Sequence, residues 1–489
     1  MIRIGRLVLF LILLGAFVVR LYRIDNPIAD WHSWRQADTA AVTRNFVNNG
    51  IDLLHPQFDD LSKIPSGLEN PSGWRFVEFP IYNATVATLF GVFNGFPLEV
   101  WGRLVSILSS LGSIIFLYLL LKKYTSIRIG LLGALFFGFT PYNIYYSRTI
   151  LPDPSMVMAI LGGTYFFDLA IKKEFQISNF KFQISQWVYF VLAIIFTASA
   201  FLLKPFALFF TLPMVYIAFR RWGIGMFAKW KLWFFAAITL VPLILWRLWM
   251  QQYPEGIPSY DWLFNSDNIR FKGAFFQWIF ADRIGRLILG YWGIALLVIG
   301  LIRKVGEREE FFYYCFLASS LLYLVVIAGG NVRHDYYQIL IVPTLAIFLA
   351  KGADFLLIAP KEYFSRVVSC LLLVVCCMAM LAFGWFYVRD YFNINNLAIV
   401  EAGQMASKIL PKDAKVIAPY GGDTSFLYQT ERSGWPVVDA PIEEMIVRGA
   451  QYLVIASPTD NDFGGFGTTY ALVAAGKNYL ILDLQSKIK

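Results

Sequence analysis

The chemistry available to this chain of 489 residues is concentrated in a few polar clusters set in apolar surroundings. The densest is Asp30-Trp31-His32-Ser33-Trp34-Arg35-Gln36-Ala37-Asp38-Thr39, which continues to Phe46. His32, Arg35 and Asp38 are spaced by three. A helix that begins early in this stretch brings imidazole, guanidinium and carboxylate towards one face. A guanidinium offers a planar fork to phosphate oxygens, and a carboxylate can take the proton of a hydroxyl. The trio therefore suits a lipid phosphate and an acceptor hydroxyl handled together. From Ala37 onward, the spacing of Val42 and Phe46 predicts an amphipathic helix lying at a membrane surface. A purely structural alternative makes Asp38 the N-cap of that helix and makes Trp31 and Trp34 interfacial anchors.

Four other points carry candidate groups. Arg148 and Asp153 fall in one turn, where Asp153-Pro154 also reads as a helix start. Lys204 lies between two apolar runs, where a cation needs a partner; a lipid phosphate is a natural one, and snorkelling to the headgroups is the structural alternative. The turn Asn331-Val332-Arg333-His334-Asp335-Tyr336-Tyr337 adds an imidazole, a carboxylate and two phenols. Glu78 stands before another apolar run. The three histidines, His32, His55 and His334, fall in the same class of loop, but no two share ligand spacing. No cofactor is certain, and a divalent metal is an alternative that the spacing does not favour.

The elements that position these groups follow from hydropathy. The chain is 58% hydrophobic and 15% charged, against about 25% charged residues in soluble domains. Apolar blocks cover residues 7–21, 104–121, 129–146, 156–171, 187–203, 206–219, 232–250, 287–302, 311–328, 339–350 and 367–387. They predict about eleven membrane spans. Lysines and arginines outnumber acids by 42 − 33 = 9. They recur in every second short loop: Arg3 and Arg6; Lys122, Lys123 and Arg128; Lys172, Lys173 and Lys181; Arg220, Arg221, Lys229 and Lys231; Arg303, Lys304 and Arg308; Lys351, Lys361 and Arg366. That pattern reads as topology, with a cytoplasmic N-terminus and a plasma (inner) membrane location, and not as nucleic-acid binding. Residues 7–21 lack a small-residue cleavage site and read as a retained span. Cys315, Cys370, Cys376 and Cys377 all fall in apolar runs without ligand or disulfide spacing.

Outer segments near 22–101 and 251–286 are long enough to hold structure. The last segment, 391–489, contains three β-like runs, at 414–419, 451–456 and 479–484, which predict a small extracytoplasmic α/β domain beside a multi-span core at 1–390. The inner loop carries a near-duplication, Phe175-Gln176-Ile177-Ser178 and Phe182-Gln183-Ile184-Ser185, to which no function is assigned. Asp168, Arg247 and Asp354 lie near span ends. The lack of midplane acids disfavours an ion-coupled transporter. A lipid or polysaccharide transporter and a non-catalytic membrane scaffold remain the alternatives to an enzyme.

Taken in order, these motifs resemble the family 39 membrane glycosyltransferases, the superfamily of protein O-mannosyltransferases and lipid A aminoarabinose transferases. The resemblance is nearest to bacterial members carrying His-x-Trp-Arg-Gln-Ala-Asp-Thr-Ala, which here is His32 to Ala40. Glu78-Phe79-Pro80-Ile81-Tyr82, the turn from Arg148 to Pro154, Lys204-Pro205 and His334-Asp335-Tyr336-Tyr337 follow in the family's order. The resemblance covers roughly residues 1 to 390 and implies a mainly α, multi-span GT-C fold with surface helices in the first outer loop. It implies inverting transfer of a hexosyl or pentosyl group from a polyprenyl-phosphate sugar to a lipid, glycan or protein, among membrane lipids. The family's Asp-Glu pair would fall on Arg35-Gln36, so the resemblance puts the catalytic acid at Asp38, with Asp30 the alternative. It puts substrate contacts at His32, Trp34, Arg35, Glu78, Arg148, Asp153, Lys204, His334, Asp335, Tyr336 and Tyr337. The segment from Thr424 to Trp435 resembles one often found after this core.

Overall fold

Apolar runs free of internal breakers become helices, and the computed structural model, which describes residues 2–93, 95–171, 180–358 and 365–488, is built mainly of them. In order, the first eight are α1 Ile2–Arg20, α2 Ser33–Asn49, α3 Ile81–Val92, α4 Leu98–Tyr124, α5 Ile127–Phe139, α6 Pro141–Tyr146, α7 Asp153–Ala170 and α8 Phe180–Leu203. The 27 residues of α4 carry Glu99 in the first turn and Lys122 and Lys123 in the last, so its end charges complement the helix dipole. α4 packs on α5 and α7, and α7 packs on α8. Later, Gly293–Ile302 crosses Val342–Ile358 at backbone contact. A Cβ on Gly300 would meet the Phe348 carbonyl oxygen at 1.8 Å, and one on Gly352 would meet that of Leu296 at 2.0 Å. Small residues permit such approach between helices that have no water to expel.

By length and apolarity, five helices among the described residues can cross a membrane, or six if the bent pair Gly273–Ile288 and Gly293–Ile302, meeting at 112°, is one crossing. The expected count of about eleven is not reached by this measure. Breaks inside the apolar runs account for much of the gap. The run at 206–219 opens as a tight 3₁₀ stretch, Pro205–Thr211, before Leu212–Trp222. Ile127–Phe139 and Phe312–Val326 are apolar but short. The first copy of the inner-loop duplication lies outside the described residues, and the second is in α8.

The C-terminal part folds around a five-stranded sheet. Its strands are β1 Val416–Ile417, β2 Gly434–Trp435, β3 Tyr452–Ala456, β4 Tyr470–Gly476 and β5 Tyr479–Lys487, in the order β2-β1-β3-β5-β4. β1 pairs in parallel with β2 and β3, while β5 runs antiparallel to β3 and β4. The three β-like runs became β1, β3 and β5; β2 and β4 were not anticipated, because Gly434–Trp435 is too short to show alternation. The sheet does not stand apart from the first loop. Leu61 N donates to Gly434 O at 2.8 Å and Gly434 N to Asp59 O at 2.9 Å, so residues 59–61 extend its β2 edge.

Candidate functional site

The first polar cluster forms α2, but not as an amphipathic surface helix. It begins at Ser33, behind His32 in a left-handed conformation (φ 54°), and eleven of its residues are buried. The apolar spacing from Ala37 registered only part of this, because the helix is covered by α3 and by the later helix Thr424–Gln429. Asp38 therefore sits one and a half turns inside the helix and cannot be its N-cap. Its carboxylate is used across the fold instead. Arg75 Nη2 donates to Asp38 Oδ2 at 2.6 Å, and Thr424 Oγ1 donates to Oδ1 at 2.7 Å.

Asp38 lines a cavity of about 770 Å³, within the range of about 300–1,000 Å³ typical of small-molecule sites. Of the groups expected from sequence, Trp34, Arg35, Glu78, Lys204, Tyr336 and Tyr337 line it as well. Arg35 Nη2 donates to Glu78 Oε1 at 2.5 Å. Lys204 Nζ donates to both oxygens of Asp153, at 2.7 and 2.8 Å, and lies over the rings of Tyr336 and Tyr337. The partner of Lys204 is thus a protein carboxylate, and Asp153, at the first position of α7, makes no side-chain cap bond. Glu78 Oε2 and Arg75 Nε are buried without a hydrogen-bond partner.

Six expected residues, Asp30, His32, Arg148, Asp153, His334 and Asp335, stand outside the cavity lining, and each has a structural task. Asp335 accepts bonds from His32 Nε2 (2.5 Å), Tyr146 OH (2.6 Å), Tyr391 OH (2.8 Å) and Trp31 Nε1 (3.1 Å). Burial alone would raise its pKa, but these donors and the charge of Arg283 hold the carboxyl well below the usual range. Asp335 thereby pins the start of α2 to the bundle, with Trp31 stacked on Tyr391. His334 packs against Trp34, Trp262 and His32, and burial pushes its pKa down to about 3. Arg148 is fully buried, donates to Tyr22 O and stands 3.5 Å from Asp30. Asp30 accepts from Gln36 Nε2 at 2.7 Å and is likewise absent from the cavity wall. Burial raises its pKa despite Arg103 and Arg148. The alternative acid is therefore walled off from the cavity that Asp38 faces. Among the described residues, no three His, Cys, Asp or Glu side chains gather as a metal site.

The cavity residues not anticipated as site groups include Arg75, Asp60, Thr424 and Arg247. Burial pushes Asp60 up to about 7. Arg247 lies in the last turn of the helix Trp230–Met250; among the described residues it has no close ion pair, its hydrogen bond goes to Met250 Sδ at 3.6 Å, and the charge of Glu78 acts on it from farther off. A basic residue at the end of an apolar run was visible in the sequence, as was the segment carrying Thr424. Nothing local tied either to Asp38.

This architecture is that of the GT-C membrane glycosyltransferases. Residues 80–249 match the family model described as dolichyl-phosphate-mannose-protein mannosyltransferase, in agreement with the superfamily that the motifs resemble. ArnT from Cupriavidus metallidurans, solved with undecaprenyl phosphate, is 13% identical, with 97% of each chain covered and a TM-score of 0.64. The apo oligosaccharyltransferase of Archaeoglobus fulgidus is 12% identical over 94% of this chain and 70% of its own, with a TM-score of 0.64. At these identities the likeness is one of fold. No curated protein matches the chain in sequence.

Proposed function

We propose that the protein is an inverting glycosyltransferase that moves a hexosyl or pentosyl group from a polyprenyl-phosphate donor to an acceptor hydroxyl on the outer face of the plasma membrane. The observation that carries this reading is the cavity that Asp38 shares with Lys204, Arg35 and Arg247, the last near the charge of Glu78 but in no close ion pair among the described residues. A carboxylate accommodates two bonds and keeps lone pairs for a third, so the donors Arg75 and Thr424 orient Asp38 without using it up. The acceptor O–H breaks as Asp38 takes its proton. The freed oxygen pair bonds to the anomeric carbon opposite the phosphate oxygen. The carbon–oxygen bond to phosphate breaks, and polyprenyl phosphate leaves with that pair. Arg247 is the group with charge to spare for it; Lys204 and Arg35, already matched by Asp153 and Glu78, add directed donors. Positioning and electrostatics supply most of the catalysis, because phosphate leaves readily.

The apolar side of the cavity, with Pro205, Phe206, Ile257, Leu263 and Phe264, suits the first isoprene units. The similarity in fold to ArnT, whose structure contains undecaprenyl phosphate, supports the same donor class. In this reading the N-terminus is cytoplasmic, the 391–489 unit is extracytoplasmic, and α1, α5, α7, Leu212–Trp222 and Phe312–Val326 join the six longer crossings to make about eleven. The decisive experiment offers purified protein a panel of radiolabelled polyprenyl-phosphate sugars with cell-envelope extract as acceptor. Asp38→Asn is expected to lose about 10²- to 10⁴-fold in transfer. Full turnover by that variant would remove Asp38 from the mechanism, and substrate movement without a new glycosidic bond would favour a transporter.

A further inference from the structure

A second cavity, of about 380 Å³, opens at the other end of α2. Its walls come from three places: Asn45 and Asn49 of α2, Asp52, His55 and Gln57 of the loop that follows, and Trp74 and Tyr253. The site is built, not incidental. His55 is held by Asp52 Oδ2 at 2.9 Å and by the Tyr253 hydroxyl at 3.2 Å, and it packs against Trp74, Trp249 and Tyr253 with ring centroids 5.5 to 5.6 Å apart. Trp249 Nε1 donates to Leu54 O at 2.9 Å and fixes the loop. Asn45 Nδ2 donates to Gln57 O and Gln57 Nε2 to Ser72 O. The other ends of those two amides, and the whole amide of Asn49, make no hydrogen bond among the described residues.

We infer that this cavity binds a saccharide, and that it anchors an acceptor glycan remote from the reacting hydroxyl. Uncommitted amide donors and acceptors, one carboxylate and the aromatic rings of Phe46, Trp74 and Tyr253 are the groups that recognise a ring which is polar at its rim and apolar on its faces. The lining holds no lysine or arginine, which argues against an anion as ligand. The location fits a glycan in transfer. Asn45 lies seven residues from Asp38 on α2, which is about 10 Å along the axis and nearly the same face. Trp74 is followed directly by Arg75, the partner of Asp38. Both belong to a short ribbon closed by Phe58 N to Gly73 O and Arg75 N to Pro56 O. An acceptor gripped here is held by the same two elements that set the catalytic carboxylate. The inference rests on the transfer reading for its purpose, but not for its binding.

The test separates the two. Saturation-transfer NMR on the full-length protein in nanodiscs, without donor, uses the methyl glycosides of mannose, glucose, galactose and arabinose as probes. At least one is expected to receive saturation, and Asn49→Ala and Trp74→Ala are each expected to abolish it. Asn49 is exposed with no protein partner, so its loss leaves the fold intact even if the Trp74 variant fails to fold. Asp38→Asn is expected to bind the glycoside as wild type does. In the transfer assay, Asn49→Ala is expected to raise the acceptor KM about tenfold. Saturation of none of the four sugars, or signals indifferent to Asn49→Ala, overturns the saccharide site while leaving the Asp38 chemistry standing. Sugar binding that depends on Asn49, in a protein whose Asp38→Asn variant still transfers, overturns the catalytic assignment and keeps the site.

Discussion

Buried charges gather at both ends of α4, and they are handled differently. At its C-terminal end the pairs close on themselves. Lys123 meets Asp168, Arg128 and Arg303 share Asp354, and Lys351 meets Glu309. Lys351 also lies over the rings of Tyr314 and Phe348. At the N-terminal end, around Asp38, the matching is left incomplete. Among the described residues Arg247 has no close ion pair, only the more distant charge of Glu78, and Glu78 Oε2 and Arg75 Nε have no hydrogen-bond partner. A fold that leaves polar atoms unsatisfied gives up roughly 1–3 kcal/mol for each, a cost that is recovered only when a ligand arrives. The comparison teaches that the paired end holds the bundle together, while the unpaired end is set for an incoming charge.

Substitutions can break that contrast. The largest expected effect is the loss of transfer in Asp38→Asn, read per folded molecule because the change also takes the carboxylate from Arg75. Next, Glu309→Gln leaves Lys351 buried and unpaired, at an expected cost of about 3–5 kcal/mol. Thermal unfolding in detergent should show this as a lowered midpoint, while turnover per folded molecule stays at the wild-type value. Arg247→Gln should do the reverse. Loss of one charge-assisted contact of about 1.5–3 kcal/mol raises the donor KM by about 10- to 150-fold, read in the transfer assay, with the unfolding midpoint nearly unmoved. A stability loss without a donor effect would make Arg247 part of the scaffold. Thr424→Val removes one neutral donor from Asp38 and is expected to slow transfer by about two- to tenfold; wild-type rates would show that Arg75 alone orients the carboxylate.

The effect that is smallest at neutral pH, and grows on acidification, is that of His334. His334 is held neutral in the fold, with its pKa lowered from 6.5 to about 3 by burial. The unfolded chain binds the extra proton first, so stability falls as pH drops through about 6.5 and continues to fall until about 3. His334→Gln should flatten that part of the midpoint-versus-pH curve.

How much of this was legible in the sequence varies with the distance over which residues act. Trp34-Arg35-Gln36-Ala37-Asp38 declared its chemistry, because those groups lie within two turns of one helix. The cap reading of Asp38 failed because the helix starts earlier, at a His32 held in the left-handed region by its tie to Asp335, 303 residues away. Lys204 and Asp153 were each singled out, yet their pairing across 51 residues was not. Thr424 is 386 residues from Asp38, and no local pattern predicts such a meeting. Hydropathy found the apolar mass but not its breaks, which depend on how Pro205 and the turn at Gly290 are received by their neighbours.

The stitching of residues 59–61 onto the β2 edge bears on when the protein becomes competent during synthesis. Asp38 emerges early, but the hydroxyl that orients it and the strand that closes its loop arrive only after the ribosome has passed position 434. A half-made chain already threaded into the bilayer holds the acid and the cations without the final clasp. In the proposed reading, an oriented carboxylate is thus an achievement of distant segments and not of the first loop alone, since its two donors lie 37 and 386 residues downstream.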